Sequence, residues 1–256
     1  MLELGLFDDR KAAVGWIMAG KVVVDGVVVT KPGTLVKTDA RIFLRGTPLR
    51  FASRGGYKLS HALKRFAIDV GGQVCLDAGA AAGGFTDCML QCGARLVYAV
   101  DAGYGQLRGR IASDPRVVSM ERTNISDVRA EQLDPGIEFA AIDLSYLSLT
   151  KAIPTVARLF AGQPVELVCL IKPLYEGLAQ RHMNDRDAFA PVLHDLFRNL
   201  EAIGFPASDA GVSPILGSRG AIEFLAHVRG ASETPGAVML TARAIDELDA
   251  HPPREL

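Results

Sequence analysis

Short apolar runs alternate with amphipathic stretches along most of the chain. The runs cover 74–78, 96–100, 117–120, 139–142, 167–171, a weaker one at 207–212, and 222–228. Runs of this length, rich in Val, Ile, Leu and Ala and flanked by Gly, Asp or Pro, read as buried strands. Between them lie stretches with helical spacing, at 85–92, 105–112, 126–133, 148–160 and 187–203. Leu59, Ala62, Leu63 and Phe66 mark one more helix ahead of the first run. Strand and helix in alternation predict an α/β domain with a mostly parallel sheet covered on both faces.

Before residue 51 the pattern changes. Asp8 or Asp9 caps a predicted helix that runs to about Ala19, with Ala13, Trp16 and Ile17 inward and Gly20 as its stop. Val22-Val23-Val24 and Val27-Val28-Val29 flank Asp25-Gly26, a strong hairpin signal because both turn residues tolerate positive φ. Further short strands are expected at 41–45 and 49–52. At the other end, 230–256 carries Glu233, Pro235, Pro252 and Pro253 and reads as a loose tail with a short helix near 241–248. The predicted division is therefore 1–50, 51–229 and 230–256.

Composition narrows the class. The chain has 256 residues, 49% of them hydrophobic and 22% charged, with a formal net charge of -1. That is enough apolar material for a sizeable core and argues against a disordered chain. No apolar run approaches the roughly 20 residues of a membrane helix. The first ten residues lack the apolar segment of a signal peptide. Four cysteines without a Cys-x-x-Cys pair point to a reducing cytoplasm. Cys88 and Cys92 read as small buried residues rather than metal ligands, and no metal site is expected. The near-zero net charge hides an asymmetry. Residues 1–65 hold twelve Lys and Arg against five acids, a net of +7, and the remainder carries −8. A basic head of this kind attracts polyanions, nucleic acid above all.

Two sets of residues stand where chemistry is expected. The first is the Gly-rich turn after the first sheet strand, Asp77-Ala78-Gly79-Ala80-Ala81-Ala82-Gly83-Gly84-Phe85, followed by Asp101 at the end of the next strand. In open parallel sheets ligands sit at the carboxyl ends of strands, and an acid about 20 residues on holds a ribose diol. The pyrophosphate fingerprint G-x-G-x-x-G is absent, because Ala81 stands at its second glycine. A nucleoside ligand without phosphates fits better, and S-adenosylmethionine is the common one. The second set is Lys58, Asp143, Lys172 and Glu223. A lysine at the mouth of an apolar strand must be paired or neutral. Two lysines oriented by two carboxylates form a group able to take a proton from a ribose 2′-hydroxyl. Ser218-Arg219-Gly220 reads as a loop near phosphate or as a plain turn.

These residues occur within a longer resemblance. "AGKVVVDGVVVTKPG" resembles the alpha-L RNA-binding motif of a small-subunit ribosomal protein, here without most of its first helix. "SRGGYKLSHAL", "LDAGAAAGGFTDCML", "VYAVDAGYGQL", "SDPRVVSMERTN", "AIDLSYLSLTKAIP" and "LIKPLYEG" follow in that order. Together they resemble the TlyA family, known as haemolysins and as ribosomal RNA 2′-O-methyltransferases and related to the FtsJ-type enzymes. The resemblance implies a Rossmann-like S-adenosylmethionine-dependent methyltransferase sheet behind the RNA-binding head, with ribosomal RNA or ribosomal subunits as partner and cytidine as the target. It puts the catalytic tetrad on Lys58, Asp143, Lys172 and Glu223. S-adenosylmethionine then sits at Asp77, Gly79, Gly83, Gly84, Phe85 and Asp143, with Asp101 on the ribose and Asn124, beside Glu121 and Thr123, near the adenine. Ala81-Ala82 replaces a frequent Ser-Thr, and "KPLYEG" with a short loop after it departs from the usual sequence where RNA would enter. A second class, a non-catalytic RNA-binding or haemolysin-like protein on the same scaffold, stays open, as do the modified nucleotide, the ribosomal subunit and the oligomeric state.

Overall fold

The computed structural model describes the chain apart from residues 3, 5, 8, 9, 47–49, 184, 231–233 and 256 and the side chain of Ala12. Two compact units emerge, Met1–Arg50 and Phe51–Leu256.

In the first unit α1 (Arg10–Met18) precedes a three-stranded antiparallel sheet of β1 (Val22–Val24), β2 (Val27–Val29) and β3 (Ile42–Leu44), in the order β2-β1-β3. The cap expected from Asp8 or Asp9 lies outside the described residues. Gly20 has φ +66°, which ends the helix as expected. Asp25 and Gly26 both take positive φ, at 49° and 83°, so the Asp-Gly signal does form a tight hairpin. The Asp25 carboxylate also accepts from Arg41 N at 2.8 Å, joining the hairpin tip to the entry of β3. Trp16 packs edge-on against Phe7 and under the Lys21 ammonium. No strand forms at 50–52, where the backbone only bends, and Leu49 lies outside the described residues.

The second unit is built on a seven-stranded sheet. Its strands are β4 (Val74–Ala78), β5 (Leu96–Val100), β6 (Val117–Met120), β7 (Phe139–Ile142), β8 (Glu166–Ile171), β9 (Ala207–Val212) and β10 (Phe224–Arg229). Their order is β6-β5-β4-β7-β8-β10-β9. The five strands β4 to β8 run parallel, and β10 lies antiparallel to both β8 and β9. Alternation along each strand divides the core. Val74, Leu76 and Ala78 belong to one apolar cluster and Cys75 to the other. The first cluster takes in α5 (Leu149–Ala157), α6 (Phe189–Ala202) and α7 (Ala237–Ala250). The second takes in α2 (Gly55–Arg65) and α3 (Gly84–Gln91). The short α4 (Gly109–Ala112) replaces the longer helix expected at 105–112, and two 3₁₀ turns stand where a helix was expected at 126–133.

The C-terminal segment differs most from expectation. Residues 237–250 form a full helix, with Ala237, Leu240, Ala244 and Leu248 buried in the main core. Spacing of three, four and four residues makes one apolar stripe, and burying it outweighs the breaking effect of the flanking prolines. Cys92 also departs from expectation. It is exposed at the end of α3, whereas Cys88 is buried. Among the described residues no helix is long and apolar enough to cross a membrane, and no group of three or more potential metal ligands forms.

Candidate active site

Strand order fixes where a ligand can sit. From β4 the chain proceeds outward through β5 and β6, then returns to the far side of β4 with β7. The crevice outside the carboxyl ends of β4 and β7 is therefore the switch point of the sheet. Asp143 N donates to Ala78 O at 2.9 Å, holding the two strand ends together. Gly79 follows with φ +99°, and a Cβ there would stand 2.4 Å from the Asp143 carbonyl oxygen. Only glycine fits.

A cavity of about 260 Å³ opens at this point, lined by Gly79, Ala81, Asp101, Gln106, Thr123, Ile125, Asp143 and Tyr146 among others. Asp101 is fixed in its wall. One carboxylate oxygen accepts from Ala81 N at 2.8 Å and the other from Gly103 N at 2.6 Å. Each retains a free lone pair for a ligand hydroxyl. Two carboxylates line this cavity, Asp101 and Asp143, and no Lys or Arg does. Such a wall repels a pyrophosphate and suits a nucleoside that carries positive charge. The residues present thus fit S-adenosylmethionine, with its ribose diol, sulfonium and ammonium.

Asp77, expected at the cofactor, does not line this cavity and is fully buried in β4. Its Oδ2 accepts from Thr86 N at 2.8 Å and Thr86 Oγ1 at 2.6 Å, pinning the start of α3 to the strand. Its Oδ1 is enclosed and accepts nothing. Burial pushes this carboxyl up to about 7, against the pull of the Thr86 hydrogen bonds, and the nearby Asp143 charge adds to the rise.

A second, larger cavity of about 420 Å³ adjoins the end of β8, lined by Lys172, Pro173, Tyr175, Met183, Arg219 and Glu223 among others. Ser145 lines both cavities. The antiparallel return of β10 explains how Glu223 arrives here. Phe224 pairs with Ile171, so the residue before β10 stands beside the residue after β8. Glu223 accepts a very short hydrogen bond from Lys58, and both side chains are buried. Burial raises the Glu223 carboxyl, the Lys58 ammonium and its hydrogen bond oppose that rise, and the Asp143 and Lys172 charges act on it in opposite directions. Lys172 forms the other pair. Its Nζ lies 2.5 Å from Asp143 Oδ1 and donates to Ser145 Oγ at 2.7 Å. The Asp143 contact is one of charge, since Oδ1 accepts no aligned hydrogen bond. The tetrad is thus two lysine–carboxylate pairs. Lys58–Glu223 is enclosed, whereas Lys172–Asp143 stands between the two cavities.

Comparison with known proteins agrees with this geometry. Residues 51–227 match the FtsJ-like methyltransferase family, and residues 1–42 match the S4 domain. Over 235 residues the chain is 36% identical to the 16S/23S rRNA (cytidine-2′-O)-methyltransferase TlyA of Mycobacterium tuberculosis, covering 90% of this chain and 87% of that protein. Identity to YqxC of Bacillus subtilis, which is named as an rRNA methyltransferase, is 38% over 91% of this chain and 85% of that one. A solved Streptococcus thermophilus structure that bears a hemolysin name superposes with a TM-score of 0.72 at 34% identity, over 96% of this chain and 93% of that chain. The chain belongs to the TlyA family of FtsJ-like methyltransferases.

Within this TlyA-family chain the expected residues separate into groups. Gly79, Asp101 and Asp143 line the smaller cavity, and Lys172 and Glu223 the larger. Gly83, at φ +86°, shapes the turn, where a Cβ would press on Leu107 and Ile111. Gly84 and Phe85, expected at the cofactor, do not line the smaller cavity. A Cβ on Gly84 would strike Ser53 Oγ and Gly56 N, and Phe85 is buried in the core with α2. Asn124 does not line the cavity either. Its Oδ1 caps a 3₁₀ turn through Ser126 N at 3.1 Å and accepts from Tyr146 OH at 3.3 Å. The residues on either side of it, Thr123 and Ile125, are the ones in the wall.

Sequence reasoning missed three features. Ser145 and Tyr146 follow Asp143 directly, so the strand-end argument that singled out Asp143 extends to them. Gly56 permits α2 to approach α3, since its Cβ would fall 2.8 Å from Gly84 O and closer still to Phe51. Asp87 ties three segments together, accepting from Ala52 N at 2.6 Å, Gln91 Nε2 at 3.0 Å and Arg110 at 2.5 Å. No local sequence signal marks it.

Proposed function

We propose that this protein transfers a methyl group from S-adenosylmethionine to a ribose 2′-hydroxyl of ribosomal RNA, at a cytidine. The observation that carries the reading is the position of Lys172, between a cavity suited to a cationic nucleoside and a second cavity large enough for a nucleotide. When bound, S-adenosylmethionine supplies an electrophilic methyl on a sulfonium. Asp101 would accept from the ribose hydroxyls of that nucleoside, and the bare backbone at Gly79 would let it approach. As the free amine, held by Ser145 and no longer in its charged pair with Asp143, Lys172 takes the proton of the target 2′-hydroxyl onto Nζ. The deprotonated oxygen would then be free to accept the methyl that the bound sulfonium supplies, and the proton would leave Lys172 for solvent. Asp143 positions the Lys172 ammonium beforehand, and the Lys58–Glu223 pair fixes the wall behind it. The S4-matched head, within the basic first 65 residues, adds affinity for phosphate. A ribosomal RNA substrate supports a cytoplasmic location.

The test is methyl transfer from labelled S-adenosylmethionine to undermodified ribosomal RNA, followed by digestion to nucleosides. Label in 2′-O-methylcytidine is the expected result. Label on a base, or none on RNA, would overturn the reading.

A further inference from the structure

The larger cavity has a wall that the tetrad does not explain. Residues 218–220 form a 3₁₀ turn in which Arg219 takes φ 57° and ψ 26°. That is the left-handed region, costly for a residue with a Cβ and normally filled by glycine or asparagine. The turn is closed tightly, with Gly217 N donating to Ala221 O at 2.8 Å. Its entry is braced from the C-terminus. Leu216 N donates to Arg254 O and Arg254 N to Pro214 O, both at 3.1 Å, and Ile215 bridges to Arg254. Its exit leads directly into Glu223. The fold therefore holds an arginine in an unfavourable conformation on a loop fastened at both ends.

Arg219 is exposed and lines the cavity that also holds Lys172. Among the described residues no carboxylate pairs with it, and the acid in the same wall, Glu223, is held by Lys58. A guanidinium presents a planar fork of donors that suits two phosphate oxygens at once. We propose that Arg219 binds an RNA backbone phosphate flanking the target nucleotide, and that the left-handed turn braced by Arg254 aims it there. The assignment rests on the methyl-transfer reading, in which this cavity receives RNA.

Arg219→Gly separates the side chain from the turn, because glycine adopts the same φ freely. The measurement is binding of unmethylated ribosomal RNA to the full chain with S-adenosylhomocysteine present, across a salt series, beside thermal unfolding. The variant should bind RNA roughly tenfold or more weakly, the scale of one lost charged hydrogen bond. Its slope of log affinity against log salt should fall by about 0.7, one single-strand phosphate contact. S-adenosylhomocysteine affinity should be kept, and the unfolding midpoint kept or raised. Unchanged RNA affinity and slope would overturn the assignment. A lowered midpoint would also do so, by making Arg219 a structural residue. Wild-type protein that binds no RNA would overturn the methyl-transfer reading itself.

Discussion

The two cavities are built by different means. The smaller one, at the ends of β4 and β7, draws on four segments between residues 79 and 146, and backbone groups shape its key points. Gly79 gives the close approach, and the Asp101 carboxylate is fixed by two N–H groups, one of them from its own loop. The larger one is walled by side chains brought from distant segments. Lys172 and Glu223 line it together because β10 returns antiparallel beside β8, and Lys58, 165 residues from Glu223 in sequence, pairs with that acid from α2. A point shaped by backbone changes little when one side chain is altered. A wall of paired charges fails when either partner is removed, since the other is left buried without compensation.

That contrast can be broken at several points. Lys172→Ala should have the largest effect, a loss of about 10²–10⁴-fold in methyl transfer at saturating cofactor, the usual worth of a general base. S-adenosylmethionine affinity, read by calorimetry, should persist. Lys172→Arg should not restore the rate, because a guanidinium stays protonated. Lys58→Met should cost about 3–5 kcal/mol of stability in urea unfolding at neutral pH, since it strands a buried carboxylate. That loss should shrink as pH falls, because protonation discharges Glu223. Asp101→Ala tests the smaller cavity. Cofactor affinity should drop by about 1.5–3 kcal/mol, the worth of a charged hydrogen bond, while stability changes little. Loss of stability comparable to that of Lys58→Met would erase the distinction between the two walls.

The smallest effect concerns Asp77, buried in β4. Its carboxyl is raised to about 7 in the folded chain from an ordinary 3.8, so the native state binds the proton more tightly than the unfolded chain. The favourable contribution is fully present below about pH 4 and is lost as pH rises to about 7, by at most about 1.4 kcal/mol per pH unit. Asp77→Asn, whose carbonyl can still accept from Thr86, should flatten this slope. Urea unfolding at pH 5, 6 and 7 reads the difference between the two proteins, and an identical slope in both would count against a buried, shifted Asp77.

The same contrast explains what was legible in the sequence. The parallel strands, the Gly-rich turn and Asp101 depend on local pattern, and the structure places them where the pattern does. Phe85 and Gly84 misled because a Gly-rich turn serves two purposes at once. Gly79 lines the cavity at the strand ends, whereas Gly84 lets α3 pack against the start of α2. Asn124 misled by one position, since its Oδ1 is engaged by Ser126 N and Tyr146 OH while its neighbours Thr123 and Ile125 line the cavity. The C-terminal helix carried a readable stripe in Ala237, Leu240, Ala244 and Leu248, but the prolines around it dominated the reading. The Ser218-Arg219-Gly220 turn was legible as a loop near phosphate or a plain turn, but the Arg254 bridge that braces it was not, because a single bridge between distant segments leaves no periodicity. The four tetrad residues stood out as two lysines and two acids, mostly at strand ends, and the family resemblance gave them a shared role, but their grouping into one enclosed pair and one pair between cavities came only from the structure.

The central claim is that Lys172 takes the ribose proton where the two cavities meet. Its most direct test is the pH dependence of single-turnover methyl transfer to ribosomal RNA, in the wild type and in Lys172→Ala. The wild-type rate should rise with pH and level off once the base is deprotonated, and the residual rate of the variant should keep rising with no plateau. A plateau at the same pH in Lys172→Ala would contradict the claim and place the base on another residue.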